Sequence, residues 1–233
     1  MRLPASHDSI YDRLLELPLF QGHSREDLTS MLGKIKVGFG LYKKGQTIIR
    51  QDDPCREIVF IMEGEAALSR TSLHKDILFT EQFKSAGSFG TETLFGLRRN
   101  YSYTITALDE VKTFVVSKEG VINHLFNYEV FRFNLLNMLT TRIQRCQQVL
   151  WLPEDENIER SFVLLCRRNF FYPAGLKTVE GGMVALARMM DRPRIHVSNM
   201  LNNLAQQQLV SLGRKKIIIP RLEKLIVHCS NKL

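Results

Sequence analysis

Arg194, Ile195, Ser198, Asn199 and Asn202 follow one another at spacings of one or three residues, and their types are those that read base-pair edges. Arginine can donate two bonds to guanine O6 and N7, asparagine can pair with adenine, and isoleucine can meet a thymine methyl. Such readers must share one face of a rigid rod. Val197, Leu201 and Leu204 recur between them at i, i+4 and i+7, which predicts a helix with its apolar stripe turned inward and the five candidates outward. Upstream, Val184, Leu186, Ala187, Met189 and Met190 predict a first helix, ended by a turn at Asp191-Arg192, with Pro193 suited to open the next helix. Downstream, LVSLGRKKIIIP predicts a hairpin whose tip offers Arg214, Lys215 and Lys216 to phosphate. This order of elements predicts a winged helix-turn-helix for duplex DNA.

The charge distribution points the same way. Residues 156–233 hold 13 Lys or Arg against 5 Asp or Glu, whereas residues 1–155 hold 19 of each, so the net charge of +8 falls in the last third. A basic C-terminal part on a neutral body is the footprint expected where one domain meets a polyanion. With 233 residues and 44% apolar residues, the chain can bury two modest cores. No apolar run approaches the roughly 20 residues of a membrane span, and the start MRLPASHDSIYDR does not read as a secretory signal, so a cytoplasmic protein without membrane contact is expected. Cys55, Cys146, Cys166 and Cys229 are scattered with no CxxC or Cys/His spacing, which predicts reduced thiols and no metal site. No nucleophile-base pair or phosphate-cradling glycine loop stands at a recognisable spacing, so no catalytic residues are expected and the protein is not read as an enzyme.

The elements that would carry these residues follow in order. YDRLLELPLFQGHSREDLTSMLGK reads as two short helices, the second opened by Ser24 with Asp27 in a capping-box relation. From Val37 to about Ser117, the runs TIIR, EIVFIM, EAALSR, DILFTEQF, YSYTITAL and KTFVVS alternate with turn signals at KKGQ, DDPC, EG, SAGSFG and LDE. Short strands at near-regular spacing predict an antiparallel barrel or roll. A helix is expected from Tyr128 to Trp151, where Leu136, Leu139, Ile143, Cys146 and Leu150 form an a/d seam suited to a homodimer, with packing on the chain's own roll as the alternative. Pro153 and the acidic break LPEDEN place a hinge at 152–156, before a helix from Ile158 to Asn169. The expected layout is a sensory roll with flanking helices over 1–127, a dimerisation helix over 128–151, the hinge, and a DNA-binding domain over 157–233. The fold class is α+β.

The chain resembles the bacterial Crp/Fnr family of transcription regulators in LPLFQGHSREDL, YKKGQTIIRQDDPCREIVFIMEGEAALSR, SFGTETLF and YSYTITA, followed by the long helix and the winged domain. The resemblance spans nearly the whole chain. It implies a cyclic-nucleotide-binding-like jelly roll, a homodimer, a palindromic operator and RNA polymerase as a partner. Its cyclic-nucleotide members hold phosphate with a Gly-Glu pair and an Arg-Ser pair. Here the glycine is Gly90, the glutamate position is Thr91 with Glu92 displaced by one, the arginine position is Tyr101, and the serine is Ser102. Loss of the arginine argues against cyclic AMP, because a partly buried phosphate needs a matched cation. Arg98 and Arg99, just before, could supply charge from another angle to a different anionic effector. The purine-contacting positions of the family fall near Cys146 and Gln147, a further departure.

The cysteines that an iron-sulfur cluster would need near the N-terminus are missing. A haem leaves no spacing signature and stays open, with His74 as a candidate ligand beside its reading as a solvated loop residue. Cys146 at a d position could cross-link a dimer on oxidation, or simply pack. In the recognition helix the family's arginine is kept as Arg194, while Ile195 and Asn199 replace a common glutamate and arginine, which implies a different operator. Asp191 replaces the usual turn glycine. The expected function is sequence-specific DNA binding under control of an unidentified small-molecule effector. The alternative is a cyclic-nucleotide-binding-like module acting on a protein partner.

Overall fold

A computed structural model describes residues 7–84, 87–150 and 157–230, with side chains for all of these except 7–10, 149, 150 and 230. The chain opens with α1 (His7–Glu16), a 3-10 turn at Pro18–Phe20, and α2 (Arg25–Lys34). Next come β1 (Val37–Tyr42), β2 (Thr47–Ile49), β3 (Glu57–Glu63), β4 (Glu65–Thr71), β5 (Ile77–Lys84), β6 (Gly87–Phe89), β7 (Thr104–Ala107) and β8 (Val111–Ser117). Helix α3 (Lys118–Asn123), a 3-10 turn at Leu125–Asn127 and the long α4 (Glu129–Leu150) follow. The C-terminal part holds α5 (Ile158–Asn169), β9 (Lys177–Gly181), α6 (Met183–Met189), α7 (Arg194–Gln206), β10 (Ser211–Gly213), β11 (Lys216–Ile219) and α8 (Leu222–Ser230). No helix among the described residues is long and apolar enough to cross a membrane.

Two compact units result, and each gathers segments distant in sequence. The first comprises Met1–Ala66, Lys84–Ser102 and Thr106–Gln144. Its sheet has the order β1-β8-β3-β6, and its core stacks Phe60 on Phe114 at 4.3 Å, with Phe20 tilted against both and Phe131 tilted against Phe20. Helix α2 begins with the expected capping box, in which the Ser24 hydroxyl accepts the Asp27 N–H and the Asp27 carboxylate accepts the Ser24 N–H.

The second unit comprises Ala67–Phe83, Tyr103–Ile105 and Arg145–Leu233. Its neighbouring strands run β10-β11-β9-β5-β4. Strand β5 pairs antiparallel with β9, from Ile77 opposite Gly181 to Glu81 opposite Lys177. Ile77 and Phe79 of β5 therefore share one core with Phe162, Val197, Leu201 and Leu204. At the end of this pairing, Glu81 and Lys177 are 1% and 0% exposed and form an ion pair at 2.7 Å. The Glu81 carboxylate also accepts the N–H groups of Phe171 at 2.6 Å and Tyr172 at 3.0 Å.

Some expectations need correction. Part of the run SAGSFG, read as a turn, is strand β6: Gly87–Phe89 pairs with Val59–Ile61 and is buried throughout, so sheet pairing overrides the weak strand propensity of Gly and Ser. Residues 37–42, VGFGLY, named in no expected strand run, form β1 against β8. In α6, Leu186, Ala187 and Met190 are buried as expected, but Val184 is 66% and Met189 36% exposed. A helix of two turns can turn only one stripe toward α7. The expected hinge at 152–156 and Trp151 lie outside the described residues, as does the side chain of Leu150.

Candidate nucleic-acid interface

Helix α7 is fixed by burial of Val197, Met200, Leu201 and Leu204. Burying these four turns the opposite face out: Arg194, Ile195, Asn199 and Asn202 are exposed, and Ser198 is half-buried. Ile195, at 62% exposure, lies with Asn199, Asn202 and Gln206 on one stripe at i, i+4, i+7 and i+11. Gln206 and the exposed His196 were missed in the sequence, although helical spacing from Ile195 and Asn199 reaches both. The turn before α7 places Asp191 at φ 50, in the left-handed region that Asp tolerates better than most non-glycine residues. Its N–H donates to the Arg188 carbonyl, and the Arg192 N–H to the Ala187 carbonyl, so the turn closes without glycine.

The hairpin β10–β11 carries Arg214 and Lys215 at its two-residue tip, both exposed, with Lys215 at φ 56. Lys216 is held differently. It stands opposite Glu180 of β9 and forms an ion pair with it at 2.9 Å, with its side chain 45% exposed. Of the three expected phosphate ligands, Arg214 and Lys215 are the ones that project from the tip.

In the first unit, the residues around Gly90 fall into two groups. Gly90 has φ 90, and a Cβ there would lie 2.9 Å from the Glu57 carbonyl, 3.0 Å from Cys55 Sγ and 3.3 Å from the Tyr101 ring. Tyr101 is buried, its hydroxyl donates to the Glu57 carbonyl at 3.3 Å, and burial pushes its phenol far above the ordinary range. Burial likewise raises the Cys55 thiol and the Glu57 carboxyl. The nearest atoms beside Gly90 are thus those of Glu57, Cys55 and Tyr101. In the second group Arg142 of α4 donates from Nη1 to Thr91 Oγ1 at 3.0 Å and to Glu92 Oε2 at 2.7 Å, while the Thr91 hydroxyl donates to the same Glu92 oxygen at 3.1 Å. Arg142 was missed in the sequence; the signal was a cation on the long helix one turn before Cys146. Arg98, Arg99 and Ser102 are exposed. A shallow concavity of about 240 Å³ opens near Tyr101, lined also by Ile49, Arg50, Pro54, Arg56 and Glu57.

The arginine position of the cyclic-nucleotide pattern holds a buried phenol whose hydroxyl is engaged, and the Glu92 carboxylate pairs with Arg142. His74, the candidate haem ligand, is exposed on the turn between β4 and β5. On α4, Leu136 and Ile143 are each 56% exposed, Cys146 is exposed and Leu139 half-buried, and Phe133, outside the expected seam, is 57% exposed. Cys55, Cys166 and Cys229 are buried, and burial raises the Cys166 thiol far above its usual range.

Residues 40–128 match the family model of the cyclic nucleotide-binding domain. The chain is similar to the Global nitrogen regulator of Synechococcus elongatus, with 22% identity over 198 residues that cover 80% of this chain and 87% of the relative. It is also 27% identical over 149 residues to Cyclic nucleotide-gated ion channel 2 of Arabidopsis thaliana, a match covering 60% of this chain and 20% of the channel. Among solved structures, the Catabolite Activator Protein of Thermus thermophilus superposes with a TM-score of 0.53 at 21% identity, covering 89% of this chain and 96% of the other.

Proposed function

We propose that this chain, which matches the cyclic nucleotide-binding domain over residues 40–128 and resembles the Crp/Fnr regulators, is a homodimeric, sequence-specific DNA-binding transcription regulator without catalytic turnover. The observation that carries this reading is α7, whose four buried residues turn Arg194, Ile195, Asn199 and Asn202 outward beside a wing tipped by Arg214 and Lys215. The N-terminal half of α7 reads base edges in the major groove, and the wing tip contacts phosphate. A second copy covers the exposed face of α4 at Leu136 and Ile143, so two α7 helices address half-sites about one helical turn apart.

The roll acts as the sensing part, and an effector works by favouring one arrangement of the α4 helices over another. The phenol at Tyr101 and the Glu92–Arg142 pair argue against cyclic AMP as that effector. Within the cell the regulator works in the cytoplasm, with RNA polymerase as its partner at a promoter. The alternative, a module acting only on a protein partner, leaves the outward face of α7 and the basic wing without a role. Selection from a random duplex pool tests the reading: the expected product is a two-fold symmetric site with half-sites about 10 base pairs apart centre to centre. A pool that shows no enriched sequence overturns it.

A further inference from the structure

The turn between β4 and β5, residues 72–76, is closed by its own hydrogen bonds and stands at a particular end of the second unit's sheet. The Ser72 hydroxyl donates to Asp76 Oδ1 at 2.7 Å and accepts the N–H groups of Asp76 and Ile77, while the Lys75 N–H donates to the Ser72 carbonyl at 2.9 Å. Lys75 takes φ 57 there, nearly the same backbone state as Lys215 at φ 56 in the wing. Leu73, His74, Lys75 and Asp76 are all exposed.

The register places this turn beside the wing. Both β5 and β11 run antiparallel to β9 and flank it on opposite sides. Ile77, the first residue of β5, faces Gly181, the last of β9, and the Gly181 N–H donates to the Lys215 carbonyl at 2.9 Å. The two hairpin tips therefore lie at the same end of the sheet, one on each side of Gly181, about two strand spacings or 10 Å apart. Gly181 is what permits the approach: a Cβ there would lie 2.9 Å from the Asp76 carbonyl and 2.9 Å from Ile77 Cγ1. The turn is also tied to the helix-turn-helix itself, because Asp76 forms an ion pair with Arg188 of α6. That pairing matters for charge. The Ser72 hydroxyl holds the Asp76 carboxyl below its usual range, and Arg188 offsets its negative charge, so Asp76 does not cancel Lys75 next to it.

We propose that the β4–β5 hairpin is a second wing, whose Lys75 ammonium, with His74 beside it, contacts a duplex backbone phosphate next to the one met by the Arg214–Lys215 tip. The inference rests on the DNA-binding reading and extends its surface onto a segment that the linear sequence assigns to the sensory roll. A phosphate contact of this kind adds affinity on every duplex and carries no base preference.

The test is fluorescence anisotropy of the full chain with a random-sequence duplex across a salt series, for the wild type, Lys75→Asn, Lys75→Arg and Lys215→Asn. Asparagine tolerates positive φ, so Lys75→Asn removes the charge and keeps the turn; an unchanged urea midpoint verifies that. Lys75→Asn is expected to lower the slope of log affinity against log salt by about one unit, as Lys215→Asn does, while Lys75→Arg keeps it. Between about 50 and about 200 mM salt, that is roughly threefold less loss of affinity than the wild type shows. A wild-type slope in Lys75→Asn, with the loss seen in Lys215→Asn, overturns the second wing and leaves the DNA-binding reading standing. No salt-dependent binding by the wild type overturns both.

Discussion

The buried Glu81–Lys177 pair makes the strongest energetic prediction. Glu81→Leu removes a carboxylate that receives Lys177 Nζ at 2.7 Å and the N–H groups of Phe171 and Tyr172. The ammonium left behind is 0% exposed, beside the rings of Phe170 at 5.5 Å and Tyr172 at 5.9 Å. Breaking a buried pair from one side costs about 3–5 kcal/mol, and the two stranded N–H groups put this variant at the upper end. Lys177→Met leaves a carboxylate still held by two N–H donors and belongs at the lower end, about 3 kcal/mol. The double variant buries no charge and strands only the two N–H groups, for a cost of about 2–4 kcal/mol. Independent effects would sum to about 8 kcal/mol, so the double-mutant cycle is expected to show a coupling of at least about 4 kcal/mol. Urea unfolding measures each value, and Glu81→Leu alone is expected to lower Tm by about 10 °C or more. A single-variant cost below about 1 kcal/mol, or a double variant equal to the sum of the singles, refutes the reasoning.

Three further outcomes follow from the sites. Arg194→Ala is expected to cost about 1–3 kcal/mol of binding at one base pair and to relax choice there, measured by competition between the selected site and its single-base variants; equal loss on random DNA contradicts base reading. Gly90→Ala forces a Cβ to 2.9 Å from the Glu57 carbonyl at φ 90, so a loss of at least about 1–3 kcal/mol in unfolding free energy is expected. Ile143→Lys places a charge on the exposed seam of α4 and is expected to convert a dimer to a monomer in sedimentation; a variant that still sediments as the wild type removes α4 from the interface.

Features set by short-range rules were legible in the sequence. The stripe Val197, Leu201, Leu204 and the Ser24–Asp27 capping box depend on spacings of three and four residues, and both stand as expected. Most strands were legible because β-branched and aromatic runs ended in turn residues. Strand β6 was not, because Gly87-Ser88-Phe89 acquires its state only from pairing with β3, nearly thirty residues earlier. Around Gly90, the sequence shows that Tyr101 replaces an arginine, but not that the ring fills the space beside the glycine or that Arg142 reaches Thr91 and Glu92 from fifty residues away. Those facts depend on side-chain packing between segments, which has no period to read.

Charge shows the same division between local and long-range information. Summed along the chain, residues 1–155 are neutral, which suggests that they contribute nothing to a polyanion surface. In the folded second unit, Asp76 and Glu81 from that neutral stretch pair with Arg188 and Lys177, which belong to the basic stretch. Lys177 is thereby buried in the unit, and Arg188 and Lys216 are paired at its surface with Asp76 and Glu180. Lys75 remains at the tip of the hairpin that delivered Asp76 and Glu81. The fold has exchanged charge between the segments: the linear excess of the last third is partly consumed in holding β5 against β9, and some of the cationic surface at that end of the sheet comes from the nominally neutral roll. A phosphate footprint estimated from the C-terminal sequence alone thus counts Arg188 and Lys216, which are paired, and omits Lys75, which is not their neighbour in the chain but stands beside them in the sheet.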